Sequence, residues 1–482
     1  MLEKVQADRL TKLQQIRQLG IDPYGGRYDT AEPIDGILAR YQDGAEGQTA
    51  DAAGRLILLR DMGRMIFAHL RDQSGQMQIA LRKNALDPDR WKLAKLLDLG
   101  DIIAAAGPLQ KSRTGEITIW ADRLTLLCKS LNPMPEKYHG LVDVETRYRQ
   151  RYVDLMTNPE TMATFRKRIA IIEHFRDVLK GRGFIEVETP MMQPIYGGAA
   201  ARPFTTHHNT LDADLYLRIS PETYLKRLLV GGMERVFEIN RVFRNEGLDT
   251  RHNPEFTILE LYQAYADYHV MMEITEQLIS TAAENIGGSL KLPYGSVEID
   301  YTPPWRRARY ADLLAEHAGV RMDDADAVRR EARALGIEES NKDDAIVIND
   351  LFQATVERHL VQPTLVTDYP AELCPLTRRK ADEPGVALRF ELYVAKMEIA
   401  NAYTELNDPA IQEANFARQV RGEADGETMR VMDEDFVTAL RHGMPPAGGL
   451  GVGIDRVIML LTNTQSIRDV ILFPLLRPGP RS

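Results

Sequence analysis

Cysteine is scarce in this chain: Cys128 and Cys374 are the only two among 482 residues. Two thiols so far apart build neither a disulfide framework nor a cysteine-based zinc site, and a reducing, cytoplasmic setting is the expected one. Long apolar runs are missing too. No stretch reaches the roughly eighteen apolar residues that a membrane-spanning helix needs, so no membrane association is expected. The first twenty residues carry charges throughout and lack an apolar centre, so a secretory signal is not expected. Nor is there a surplus of positive charge. Lysine and arginine number 60 against 70 acidic residues, a net charge of −10. That excludes a protein coated for nucleic acid, but leaves room for a basic surface on one domain.

What is present is ordinary in amount, 44% hydrophobic and 27% charged, and the length predicts two or three domains. Residues 2–19 space Leu2, Val5, Leu10, Leu13, Ile16 and Leu19 as a helix, with Lys4, Arg9, Lys12 and Arg17 between them. Gly20 and Pro23 end it, so residues 1–48 read as an N-terminal helical extension whose basic face is either solvated or set against RNA. Residues 49–131 read as strands at 54–60, 64–71, 75–82, 101–107 and two runs within 115–129. One helix near 90–97 follows the third strand. That order predicts a five-stranded barrel of the oligonucleotide-binding (OB) kind. Alternation turns Ile66, Ala68, Leu70, Met77, Ile79, Leu81, Ile117 and Ile119 inward. It leaves Phe67, His69, Arg71, Gln76, Gln78, Arg82, Glu116, Thr118 and Trp120 outward. Exposed aromatics beside amides and cations make a platform on which unpaired bases could stack at about 1–3 kcal/mol each. Phe67 or Trp120 packing on a neighbouring domain is the alternative.

Asn132-Pro133 and Pro135 mark a hinge, read as 132–160, before a second domain over 161–482. Its long first helix, 160–181, carries the stripe Ile169, Ile172, Phe175, Val178 and Leu179. The strand 183–192 ends at Pro190, which suits an edge or a junction and offers a place for a second subunit. His207-His208 point to opposite faces of a strand and cannot share one metal ion. Glu222 falls near a helix start, where a carboxylate is stable. Residues 300–362 look like a largely helical insertion.

The most unusual stretch is 236–262, VFEINRVFRNEGLDTRHNPEFTILELY. It reads as two strands joined by a long polar loop. Phe256, Ile258, Glu260 and Tyr262 alternate onto one face of the second strand. Carboxylates, a phenol and an arginine on one hairpin are costly to bury without a ligand; the bland alternative is a solvated hairpin with a few salt bridges. Later, strands at 389–394 and 397–406 put Asn401, Tyr403 and Glu405 on one face. Glu391 and Glu398 flank the turn between them as hard oxygen donors suited to Mg²⁺. Glu398 is out of phase with Asn401, so either a bulge intervenes or the two serve different sides of a cleft. Finally 445–462 is a glycine-rich strand running into an apolar helix, with Arg456 at the junction, placed to meet a phosphate. A Rossmann reading of those glycines is weak, because no βαβ unit follows.

These stretches resemble the class II aminoacyl-tRNA synthetases, within them the lysine-activating branch. GFIEVETP is similar to the family's first motif, FRNEG…RHNPEFTILELY to its second and GLGVGIDRVIMLL to its third. The likeness covers essentially the whole chain; the HIGH and KMSKS signatures of the other synthetase class are absent. It implies an α+β protein: an OB-fold anticodon-binding barrel plus a class II catalytic domain, an antiparallel sheet flanked by helices, assembled as a homodimer through the first motif. It implies ATP and L-lysine as substrates, Mg²⁺ as cofactor, and tRNA(Lys) as acceptor of the activated lysyl group.

By that resemblance Arg244 meets the α-phosphate and Phe256 stacks on adenine, with Arg456 on the ring's other face or near the γ-phosphate. Glu246, His252 and Asn253 serve ATP and the acceptor end of tRNA, and Glu391 and Glu398 hold Mg²⁺. Gly198 and Glu222 lie near the substrate's α-amino group, Glu260 and Glu405 hold its side-chain end, and Tyr262, Asn401 and Tyr403 complete the pocket. Phe67, Gln78 and Glu116 face the anticodon. A site for aspartate or asparagine, the sibling specificities, would want a cation facing the substrate's distal group, and no pocket strand is expected to present one in phase. Lys396-Met397 departs from the glycine-arginine that many bacterial relatives carry at this turn. A non-catalytic RNA-binding relative is the remaining alternative.

Overall fold

The computed structural model describes residues 2–135, 141, 143–199, 201–340, 342–420 and 432–478. The chain divides into two compact units, Met1–Val142 and Asp143–Ser482.

In the first unit, strand Thr49–Asp61 pairs along its first half with Ile102–Lys111 and along its second half with Met65–Arg71. Gly54 marks the changeover, where a Cβ would stand 2.6 Å from the Arg71 carbonyl oxygen. Gln76–Arg82 and Ile117–Ala121 complete the circuit, so the five strands close into a barrel, and Arg123–Cys128 adds to the outside of Ile102–Lys111. Ile66, Ala68, Leu70, Met77, Ile79, Leu81 and Ile119 fill the interior, as alternation predicts. Thr118 departs from the outward set: it is fully buried, its hydroxyl donating to Gln78 Oε1 at 2.9 Å. The N-terminal helix, Leu2–Gln18, loses part of its basic face to the fold. Arg9 is buried, donating to the carbonyls of Leu99, Ser130 and Asn132, and Lys12 is spent on Asp98.

In the second unit the stretch expected to be hinge already folds. Val144–Arg149 and Arg151–Thr157 are short helices, and Arg151 is wholly buried against Asp154 and the carbonyls of Arg468 and Leu472. Residues 136–140 and 142 of that hinge lie outside the described residues. The long helix, Pro159–Gly181, packs through Phe165, Ile171, Phe175 and Leu179, whereas Ile169, expected in its stripe, is exposed.

The central sheet has eight strands, in the order Arg306–Arg309, Thr364–Pro370, Val386–Val394, Met397–Thr404, Ala447–Gly453, Glu255–Ala264, Arg235–Phe243, Ile185–Glu186. The inner pairings are antiparallel and the two outermost are parallel. One expectation changes here and another gains a strand. The strand predicted over 183–192 shrinks to Ile185–Glu186 at the sheet edge, and Met192–Gln193 joins a separate small sheet. The stretch 300–362 is not only helical, because Arg306–Arg309 forms the opposite edge before helices Tyr310–Ala318, Ala325–Ala334 and Asp344–Thr355 begin.

One sheet face is apolar. Phe237, Leu259, Leu261, Phe390, Leu392, Ala400, Ala402, Leu450 and Val452 bury themselves against helices Pro159–Gly181, Tyr268–Ala282 and Ile454–Leu461. A buried polar tie joins three distant segments on this side. Arg168 pairs with Asp455 and donates to Thr257 Oγ1 at 3.0 Å, and Asp455 Oδ2 accepts the Thr257 amide at 2.7 Å. The other face carries the site.

The turn between Val386–Val394 and Met397–Thr404 is two residues long, with φ of +50° at Ala395 and +64° at Lys396. This is the primed hairpin geometry, and it costs a residue with a Cβ about 1 kcal/mol or more relative to glycine. Lys396→Gly is therefore expected to stabilise the second unit by about 1 kcal/mol, read as a higher unfolding midpoint in denaturant or heat. An unchanged or lower midpoint would show that the turn is not strained.

Candidate active site

Strand pairing sets the polar face in rows. Glu391 stands opposite Asn401, Asn401 opposite Gly451, and Gly451 opposite Glu260. In the next row come Arg389, Tyr403, Gly449 and Tyr262. Glycines 449 and 451 thus occupy the middle strand where neighbouring side chains must reach inward, while Leu450 and Val452 between them face the apolar layer. A Cβ on Gly449 would stand 2.0 Å from Glu405 Oε1 and 2.5 Å from the Tyr262 ring. The result is a cleft of about 620 Å³. It is lined by every residue expected at the nucleotide, metal and amino-acid sites except Glu405. Glu405, fully buried, reaches the same place from just beyond Met397–Thr404, in contact with Lys226.

At one end carboxylates gather. Glu222 opens helix Glu222–Val230 and is buried; Gly198, at φ +85°, leaves only 2.9 Å between its missing Cβ and Glu222. Glu260 accepts from Ser220 Oγ at 2.8 Å and from the Tyr262 hydroxyl at 3.2 Å. Glu405 Oε1 has no hydrogen-bond partner, and Oε2 is held only as an ion pair by Lys226. Lys226, one helical turn from Glu222, is completely buried and donates to Glu222 Oε1 at 2.6 Å. Burial works against this ammonium, but Glu222 and Glu405 outweigh it and raise its pKa. The carboxylates outnumber the cation, so the surplus takes protons. Burial, then the charge of Glu222, pushes Glu260 up to about 8, and burial pushes Glu405 up to about 8 against the pull of Lys226.

The other end is cationic. Arg244 follows strand Arg235–Phe243, its guanidinium 5.2 Å from the centre of the Phe256 ring and its Nε without a partner. Arg456, near the start of helix Ile454–Leu461, donates to the Glu398 carbonyl at 2.7 Å and contacts His252 Nε2 at 3.1 Å. His252 in turn contacts Asp249 at 2.8 Å, and Arg251 and Glu246 line the same mouth. Asn253 is buried, donating to the Glu255 carbonyl at 2.5 Å and leaving Oδ1 unpaired.

The phase of Glu398 is settled by a bulge. Leu392 faces Ala400 while Tyr393 faces Glu398, so Ile399 is the extra residue, and Glu391, Glu398 and Asn401 all line the cleft. Glu391 accepts from the hydroxyls of Tyr369 and Tyr393, both at 2.7 Å, and pairs with Arg389. Desolvation in the cleft and the like charge of Glu391 push Glu398 up. Because 45% of its side chain stays accessible, the like charge is the part that a cation would relieve. No group of three or more His, Cys, Asp or Glu could hold a metal by itself among the described residues. Two carboxylates do fit Mg²⁺, which takes most of its ligands from substrate phosphates and water.

Two cations went unpredicted, and the expectation that the pocket strands present none in phase is corrected. Arg389 lies in phase with Glu391 and lines the cleft, its guanidinium donating to Asn401 Oδ1 at 3.1 Å and to Cys374 Sγ at 3.3 Å. Lys226 comes from a helix, outside any strand count.

On the barrel, Phe67 and Trp120 meet edge to face at 6.2 Å, with Arg82 5.0 Å above Trp120. Gln78 donates to Glu116 at 2.6 Å, and His69 stands 3.1 Å from the same carboxylate.

Residues 143–477 match the family described as tRNA synthetases class II (D, K and N), and residues 52–127 match the OB-fold nucleic acid binding domain. The chain belongs to the class II tRNA synthetases. A lysine–tRNA ligase of Pelotomaculum thermopropionicum is 51% identical, covering 99% of this chain and 96% of its own. Those of Carboxydothermus hydrogenoformans and Moorella thermoacetica are 51% and 50% identical, each covering 98% of this chain and 97% of theirs.

In this synthetase Gly449→Ala is expected to raise the KM for the amino acid about 30-fold or more, equivalent to about 2 kcal/mol of overpacking, with circular dichroism unchanged. A KM within threefold of the parent would mean that the glycine does not bound the pocket.

Proposed function

We infer that this protein activates L-lysine with ATP and transfers the lysyl group to the 3′ end of tRNA(Lys). A charge count carries the reading. Of three buried carboxylates, Glu222 and Glu405 contact one ammonium, Lys226, and Glu260 feels the charge of Glu222, so ionising all three would leave two negative charges without a counter-ion. Lysine brings two ammonium groups. An unpaired buried carboxylate would penalise a neutral side chain strongly. The sibling reading, aspartate or asparagine, is disfavoured because both cations near the pocket, Lys226 and Arg389, are already committed to glutamates.

With lysine's ammonium groups on those glutamates, its carboxylate points toward Arg244. A carboxylate oxygen attacks the α-phosphorus of ATP, the bond to the β-phosphate oxygen breaks, and lysyl-adenylate and pyrophosphate result. Arg244 meets the charge that grows on the α-phosphate, Phe256 offers a face for adenine, and Arg456 with His252 meets the outer phosphates. No side chain becomes a covalent nucleophile; positioning and electrostatic stabilisation do the work. Glu391 and Glu398 would hold Mg²⁺, which neutralises phosphate charge when bound. The lysyl carbonyl then passes to a ribose hydroxyl of the tRNA end, releasing AMP. Phe67, Gln78 and Glu116 on the barrel are assigned to the anticodon. A homodimer through the Ile185–Glu186 edge is supported by the exposure of Ile185 (53%). The cytoplasm suits two unpaired thiols, and no described helix is long and apolar enough to cross a membrane.

ATP–pyrophosphate exchange run against each standard amino acid tests the reading: lysine alone should support it, and exchange with aspartate or asparagine instead would sink it. The pocket also predicts a pH dependence. Glu260 and Glu405 hold protons that the unfolded chain, near 4.5, has released, so the ligand-free fold loses stability as pH rises toward about 8. Lysine stabilises the ionised carboxylates, so its binding releases protons and tightens from pH 6.5 to 8.5. Calorimetry in buffers of different ionisation enthalpy checks the release, and affinity flat over that range would contradict it. On the barrel, Phe67→Ala should reduce tRNA charging at least about tenfold, one lost base stack, with exchange unaffected. Parallel loss of both would make Phe67 structural.

A further inference from the structure

Lys226 has no place in the chemistry derived above, yet it is the one cation inside the carboxylate cluster. Its side chain is fully buried, its Nζ is 2.6 Å from Glu222 Oε1 and in ion-pair contact with Glu405 Oε2, and it stands 5.9 Å from the centre of the Tyr262 ring. Among the described residues neither carboxylate oxygen of Glu405 has a hydrogen-bond partner beyond this ion pair. An isolated buried carboxylate takes up a proton and turns as packing allows. We propose that Lys226 is a positioning residue for amino-acid recognition: bridging Glu222 and Glu405, it holds both carboxylates aimed into the pocket, so that the two ammonium groups of lysine find formed partners. This rests on the lysine reading above.

The groups facing Lys226 come from three elements. They are Glu222 on its own helix, the Tyr262 ring on strand Glu255–Ala264, and Glu405 just beyond Met397–Thr404. Glu260 and Tyr403 bear on the cluster through the charge of Glu222, and Arg244 acts on Glu260. Helix Glu434–Arg441 also packs on the Lys226 helix, but Asp433 and Asp435 there are occupied by Arg227. Without Lys226, Glu405 therefore has only anionic or neutral neighbours, and its carboxyl moves upward from about 8. The proton on Glu405 is then held more tightly than in the parent. Substrate would then have to displace that proton, and the displacement grows easier as pH rises.

The test uses the full-length protein and L-lysine itself. Lys226→Met keeps length and burial but takes the ammonium partner from Glu222, which lines the cleft, whereas Lys226→Gln keeps a hydrogen-bond donor for it. At pH 7.0 the KM for lysine in ATP–pyrophosphate exchange should rise at least tenfold, with kcat and the KM for ATP within threefold of the parent. At pH 8.5 at least half of that rise, on a logarithmic scale, should be recovered. Lys226→Gln should behave alike. A lysine KM within threefold of the parent, equal losses for ATP and lysine, or a loss that does not change with pH would overturn the proposal. Failure of both variants to fold would overturn it too, by making Lys226 a structural ion pair. If the parent itself shows no lysine-dependent exchange, the lysine reading fails first, which a single control distinguishes.

Discussion

Everything on the polar face of this sheet answers to one electrostatic imbalance: three buried glutamates and a single ammonium. Left dry, such a cluster costs several kcal/mol per unpaired charge, and the cheapest escape is protonation. The pocket is therefore built at the expense of the ligand-free fold, which is common where binding demands preorganised charge. The cost is borne by an apolar layer on the far side. Nine sheet side chains there pack against three helices, and the Arg168–Asp455–Thr257 tie fixes the first and last of those helices to the central strand.

The same scaffold separates charge along the cleft. Arg244, Arg251 and Arg456 approach from the loop side, where a triphosphate can be met, while Glu222, Glu260 and Glu405 lie under Tyr262 and Tyr403. An amino acid with a cationic side chain placed between them has its carboxylate toward the arginines and its ammonium groups toward the glutamates. Orientation thus follows from the field, without a steric gate. Gly449 and Gly451 matter to this as much as the charged residues do, because a Cβ at 449 would overlap Glu405 and Tyr262 and a side chain at 451 would enter the cleft.

Much of this was legible from period-two alternation. Phe256, Ile258, Glu260 and Tyr262 do share the cleft face, as do Asn401 and Tyr403, and the barrel interior follows its pattern except at Thr118. The misses have identifiable causes. Lys226 lies outside strand phase, on a helix, where its i, i+4 spacing from Glu222 is the legible signal. Arg389 falls inside the expected strand 389–394 and in phase with Glu391, so the same alternation places it on the cleft face. Gly449 and Gly451 alternate with Leu450 and Val452, which is a strand pattern with one face left empty. The edge strand Arg306–Arg309 is three arginines and an alanine, which no hydrophobic pattern would reveal; tertiary pairing makes it a strand.

The bulge at Ile399 shows why local irregularity belongs to the site. Alternation alone would turn Glu398 away from Asn401; the extra residue returns it to the cleft beside Glu391. The strained turn before it, Ala395-Lys396, is clamped from behind, its two amides donating to the carbonyls of Val361 and Leu360 at 2.8 and 2.9 Å. The Glu398 carbonyl also anchors Arg456. One short segment therefore positions both the carboxylate proposed for the metal and the guanidinium proposed for the phosphates. Backbone strain of about 1 kcal/mol per residue is tolerable there because the neighbouring chain over-determines the conformation. Relaxing the turn without that clamp would let donor and guanidinium drift together, so the clamp, more than the turn sequence itself, sets the geometry of the phosphate end.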